Sequence, residues 1–136
     1  MKEHQYKVSV RWKGNKGEGT SSYQSYSREH LISGPGKEFV IPGSSDPSFM
    51  GDPTKYNPEE LFVSSISTCH MLWYLHLCAR YNIKVNDYTD QAEGIMKENN
   101  DGSGQFQNVR LNPIVTVEDK SMIEMAKLLH DKANEM

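Results

Sequence analysis

Apolar residues alternate with polar ones at Tyr6, Val8, Val10 and Trp12, the period of a half-buried strand. GNKGEG at 14–19 is turn material, and a second strand is predicted over 20–27 and a third over 29–33. Gly34-Pro35-Gly36 then turns the chain into a short strand over 38–41. These segments together predict an N-terminal antiparallel β-meander. Residues 42–56 (PGSSDPSFMGDPTKY) read as a loop of the length usually reserved for function rather than connection.

From residue 57 the period changes. The stretch 57–81, NPEELFVSSISTCHMLWYLHLCARY, runs for about six turns with no Gly or Pro after Pro58. Asn57 suits an N-cap and Pro58 the first helical position, while Glu60 sits where it can return a hydrogen bond to the cap. Over 72–79 the stretch is apolar on nearly every face, which predicts a long central helix buried on all sides. Asn82 is a stop, and extended structure begins at 83–85. Segments 88–98 and 105–117 predict a β-hairpin around NNDGSG. In its second strand Val109, Leu111, Val115 and Val117 share a face, and Pro113 suits an edge or a bulge. Ser121 with Glu124 predicts a capping box, and Met122, Ile123, Ala126, Leu129 and Ala133 form the stripe of a second, amphipathic helix. The order of strands, long helix, strands and helix is an α+β pattern, and 136 residues make one domain, 1–136.

Composition narrows the function classes. Charged residues make up 24% of the chain and the formal net charge is -3, so there is no basic footprint for nucleic acid and no polybasic membrane patch. The first seven residues are polar and no signal-peptide core follows them. The apolar-rich run 71–79, interrupted by His76, is too short to span a bilayer. Two cysteines without an export signal fit a reducing cytoplasm, where thiols tend to serve chemistry. Mean hydropathy is low, at -0.71, with the apolar residues gathered in a few segments, a pattern that predicts burial completed by oligomerisation.

Helical geometry separates the two thiols. Cys69 and Cys78 are nine residues apart, on opposite faces with backbones about 13 Å apart, and cannot form a disulfide with each other. Cys78 lies among Leu75, Leu77 and Ala79 and belongs to the core, whereas Cys69 follows hydroxylated residues at 64–68 that offer room for a substrate. Cys69, His70, His76 and Cys78 have neither the i, i+4 spacing nor the knuckle of a zinc site. His70 points about 100° away from Cys69 and reads as structural. A reactive thiol needs a cation, which one of the arginines 11, 28, 80 and 110, held by a carboxylate, could supply. The capping position occupies Glu60 and leaves Glu59 free to project elsewhere.

NPEELFVSSISTCHM resembles the signature of the OsmC/Ohr family of thiol-dependent peroxidases, in which the reactive cysteine follows the glutamate by ten residues. Glu59 and Cys69 have that spacing, and Arg28, in YSREH, lies 31 residues before Glu59, close to the arginine of the Ohr branch. The element order is similar as well, so the resemblance covers essentially the whole chain. It implies an OsmC-like fold, an organic hydroperoxide substrate, no cofactor beyond an external dithiol reductant of lipoyl type, and an intertwined homodimer. Glu59 and Cys69 lie about 15 Å apart on one straight helix, so Arg28 and Glu59 of one subunit would serve Cys69 of the other. The resemblance also implies a second cysteine shortly after the last helix. This chain ends at Met136 inside that helix, without a C-cap, which suggests a truncated sequence, or else a Cys69 resolved by an outside thiol. A second class stays open: a dimeric small-ligand-binding or redox-sensing relative without efficient turnover.

Overall fold

Three short strands open the chain as an antiparallel meander: β1 (Ser9–Trp12), β2 (His30–Ser33) and β3 (Ile41–Gly43), with Val10 opposite Ile32 and Leu31 opposite Pro42. The computed structural model describes residues 1–136, which divide into two units, 1–61 and 62–136. In the first unit the expected strand over 20–27 does not form. Its serines turn the backbone instead: the Ser25 hydroxyl donates to the carbonyls of Gly19 and Ser22 and accepts from the Ser22 N–H, local bonds that compete with a ladder. The turn at 34–36 forms as read, with Gly36 at φ 69° and the Lys37 N–H donating to the Gly34 carbonyl. The strand expected over 38–41 is displaced to Ile41–Gly43.

The alternation at 6–12 misleads about burial. Every residue of β1 is exposed, with Val10 at 67%. The buried residues of the first unit are Gly14, Gly43, Ser44 and Asn57, none of them a large apolar side chain. This unit therefore has a sheet but no hydrophobic core of its own.

Helix α1 spans Pro58–Arg80. Its start is the reciprocal capping box read from the sequence: the Glu60 N–H donates to Asn57 Oδ1 at 2.9 Å, and the Asn57 N–H donates to Glu60 Oε1 at 3.0 Å. Asn57→Ala leaves the Glu60 N–H without its side-chain acceptor and is expected to lower stability by about 1 kcal/mol. In a denaturant titration this appears as a lower midpoint at unchanged slope. At the other end Asn82 takes the left-handed conformation (φ 59°) and the Ile83 N–H donates to the Cys78 carbonyl at 2.8 Å, closing the helix in a Schellman motif.

The core of the second unit joins Tyr74, Leu77 and Cys78 of α1, Ile83, and Ala126, Leu129 and Ala133 of α2 (Ile123–Asn134). Val85 and Tyr88 of β4 (Val85–Asp90) and Val115 and Val117 of β7 (Pro113–Val117) pack against it. Only one flank of α1 is buried; Leu72 on another is 62% exposed, which corrects the expectation of a helix covered on all sides. At 23 residues α1 has the length and composition of a membrane span. One flank, however, is built into this core through polar bonds, described below, that a lipid-embedded helix would not make.

The expected hairpin forms with a break in it. β5 (Glu93–Glu98) pairs with β6 (Gly104–Arg110) and β4 pairs with β7, all antiparallel. At the break the Asn112 N–H donates to Asp90 Oδ1 at 2.6 Å and its side-chain amide donates to the Gln91 carbonyl at 2.8 Å. Side chains replace ladder bonds there, and Pro113, with no N–H, opens β7 where none is needed. The predicted box of Ser121 and Glu124 is absent. Ser121 lies inside a 3₁₀ turn (Lys120–Met122), and both its N–H and its hydroxyl donate to Asp119 Oδ1.

Candidate active site

Cys69 lies midway along α1, on its exposed side, as a free thiol. Cys78, also free, is buried, and burial pushes its thiol pKa up, so it is the less reactive of the two. The hydroxyls before Cys69 have partners of their own. Ser65 donates to the Phe62 carbonyl, Thr68 to the carbonyls of Ser64 and Ser65, and Ser67 across to Asp90 Oδ2 at 2.5 Å. The first two are back-bonds within the helix. The third ties α1, two residues before Cys69, to the carboxylate that also organises the break in the ribbon.

His70, next to Cys69, is buried. Its Nε2 lies 3.0 Å from His130 Nδ1 of α2, with the two rings nearly parallel. His130 in turn stacks on Tyr74, whose hydroxyl donates to the Ala126 carbonyl at 2.8 Å. Burial lowers the His130 pKa, with a contribution from a charge on His70, and burial raises that of Tyr74. The structural reading of His70 holds, and the structure supplies a partner sixty residues away that no local pattern marks.

Arg28 and Glu59 belong to the first unit, Cys69 to the second. The Arg28 guanidinium is held by its own loop rather than by a carboxylate. Its Nη1 donates to the Tyr26 carbonyl at 2.8 Å and its Nη2 to the Tyr23 carbonyl at 2.9 Å. The rings of Tyr26 and Tyr23 lie 3.9 and 4.3 Å from its central carbon. Trp12 meets Tyr26 edge-on and donates its indole N–H to the Ser27 carbonyl. Two of the five guanidinium N–H groups are thus used locally, leaving three for an anion. No ion pair joins Arg28 to Glu59 within the chain. Glu59 is half-buried in the first turn of α1, while Glu60 makes the capping box, so Glu59 is free as the spacing indicated.

Sequence reasoning found no role for Lys55, Asp52 or Asp46. Lys55 bridges Glu29, at 2.6 Å, and Asp52, at 2.8 Å, fastening the 42–56 loop beside the Arg28 segment. The two carboxylate bonds raise the Lys55 pKa to about 12, and the Lys55 and Thr54 bonds lower that of Asp52. Asp46 accepts from the N–H and hydroxyl of Ser48 and starts the 3₁₀ turn Pro47–Phe49. Lys55 is 26 residues from Glu29, too far for any local signal.

A long helix with one solvent-facing thiol, a ribbon and a second helix closing its core, and a strand meander ahead of it define a mixed α+β thiol protein. Residues 51–136 match the family of OsmC-like proteins, and the chain belongs to that family. It is similar to an OsmC-like protein of unknown function from Vibrio cholerae, at 30% identity and a TM-score of 0.85, over 98% of this chain and 89% of that one. An organic hydroperoxide resistance protein from Elizabethkingia anophelis has the same fold at 18% identity and a TM-score of 0.67, over 98% and 85% of the two chains. The organic hydroperoxide resistance protein of Bacillus subtilis has it at 19% identity and a TM-score of 0.60, over 97% and 84%. No curated protein matches the chain.

Proposed function

We propose that the chain is a cytoplasmic thiol peroxidase that reduces organic hydroperoxides through Cys69 and works as a homodimer. The observation that carries this reading is the pairing of an exposed Cys69 with a buried Cys78 on one helix of an OsmC-like fold. Cys69, as thiolate, attacks one oxygen of the hydroperoxide. The S–O bond forms as the O–O bond breaks, the sulfur supplies both electrons, and the alkoxide leaves and takes a proton to become the alcohol. Arg28 stabilises the charge developing on the leaving oxygen through its free N–H groups, with Glu59 orienting it. An external dithiol then condenses with the sulfenic acid, releasing water, and its second thiol displaces Cys69 as the dithiol closes into a disulfide.

Dimerisation is supported by what the chain leaves uncovered. Val8, Val10 and Trp12 of the first unit and Leu72 and Trp73 of α1 are exposed apolar side chains that a second copy would cover. In such a dimer Arg28 and Glu59 of one subunit serve Cys69 of the other. The test is consumption of cumene hydroperoxide with a dithiol by wild type and Cys69→Ser. Oxidation of Cys69 without turnover would instead identify a redox-sensing relative.

A further inference from the structure

Cys69 is bracketed by two contacts that reach out of its helix. On one side Ser67 is bonded to Asp90, and on the other His70 is bonded to His130. Both partners lie in the same unit as the thiol, one on β4 and one on α2. The geometry points to a positioning role. We propose that the His70–His130 hydrogen bond holds the α1 turn that presents Cys69, and that acid opens this clasp and disarms the thiol. The inference rests on the peroxidase reading of Cys69 for its consequence, though not for the clasp itself.

The chemistry of two imidazoles face to face sets the behaviour. With both rings neutral, one N–H donates into the lone pair of the other ring. One added proton keeps an N–H between the two nitrogens, and a second sets N–H against N–H and breaks the contact. The surroundings offer little to offset that second charge. From α1 the neighbours are His70 and Tyr74, whose hydroxyl is already engaged with Ala126. From β4, Tyr88 packs on Tyr74 rather than on the imidazoles and carries no charge at neutral pH, its pKa pushed up to about 12 by burial. β7 contributes only Pro113, Val115 and Val117 to the groove of about 280 Å³ that His130 lines. On α2 itself Lys127 lines the same groove and opposes a further positive charge, while Asp131 favours one. The groove gives solvent protons access to His130.

The sign follows from His130 being held below its ordinary value in the closed clasp. Above the unperturbed value of about 6.5 both states are neutral there and the clasp keeps its full strength. As pH falls below that value the released imidazole takes a proton that the docked one resists, so the clasp weakens until pH passes the lowered value.

Two variants separate the bond from the fold. In His130→Asn the side-chain amide stands where Nδ1 stood, keeping a hydrogen bond to His70 without titrating, whereas His130→Phe keeps a ring against Tyr74 but no nitrogen. Amide hydrogen exchange over 68–71 and α2, corrected for intrinsic rates, is compared between about pH 7.5 and about pH 5.5. Wild-type protection is expected to fall at least about threefold, that of His130→Asn to stay constant, and that of His130→Phe to be low at both values. Constant wild-type protection, or an equal fall in His130→Asn, overturns the clasp. The rate of Cys69 oxidation by one equivalent of cumene hydroperoxide is then measured as the ratio of wild type to His130→Asn. That ratio should fall at least about threefold over the same interval, and a flat ratio overturns the positioning role. Should Cys69 resist oxidation in both proteins at both values, the peroxidase reading and the positioning role fall together, while the exchange measurement, which needs no peroxide, still decides the clasp.

Discussion

Cys69→Ser should abolish dithiol-dependent consumption of organic hydroperoxide, a loss of at least about a thousandfold in kcat/KM. The serine hydroxyl is not ionised at neutral pH and cannot cycle through a sulfenic acid, so the step that accepts oxygen disappears rather than slows. The side chain is exposed, and stability should stay within about 0.5 kcal/mol of wild type. Cys78→Ser is the control with the opposite profile. It retains turnover but loses about 1–3 kcal/mol of stability, because it places a hydroxyl in the apolar core beside Leu77 and Ile83. Turnover by Cys69→Ser at the wild-type rate would end the assignment of that thiol.

The second large effect is expected at Arg28. Arg28→Lys keeps one positive charge but loses the fork that bonds the Tyr23 and Tyr26 carbonyls while leaving donors for an oxyanion. Loss of one transition-state donor set costs about a hundredfold in kcat/KM, roughly 2.7 kcal/mol. Arg28→Lys and Cys69→Ser together also report on the dimer. If Arg28 of one subunit serves Cys69 of the other, mixing and re-equilibrating the two inactive proteins makes heterodimers with one intact site and one doubly defective site. Activity should then return to about one quarter of the wild-type value. If each chain contains its whole site, mixing restores nothing.

Much of this fold was legible because its signals are local. Asn57, Pro58 and Glu60 mark the start of α1 within four residues, Asn82 marks its end, and the Asp-Gly turn marks the ribbon. Where the reading failed, a competing interaction lay out of reach of the pattern. Ser22 and Ser25 turned a segment whose composition suits a strand, and Asp119 captured Ser121 before it could cap α2. Alternation at Val8, Val10 and Trp12 marks an apolar face, but it does not say whether the same chain covers that face, and here it does not. The same limit applies to the site. Cys69 could be singled out from Cys78 by helical angle alone, whereas His130, Asp90 and Lys55 join its helix or the Arg28 segment through contacts 23 to 60 residues long in sequence.

The central claim is that Cys69 takes an oxygen atom from an organic hydroperoxide, and the mass of the protein after one equivalent of cumene hydroperoxide tests it without any reductant. The untrapped protein should gain one oxygen, and peptide mapping after a sulfenic-acid trap should find the trap on Cys69, in nearly every chain, and not on Cys78. Oxidation confined to Cys78 or spread over the methionines, with Cys69 left as a thiol, would contradict it.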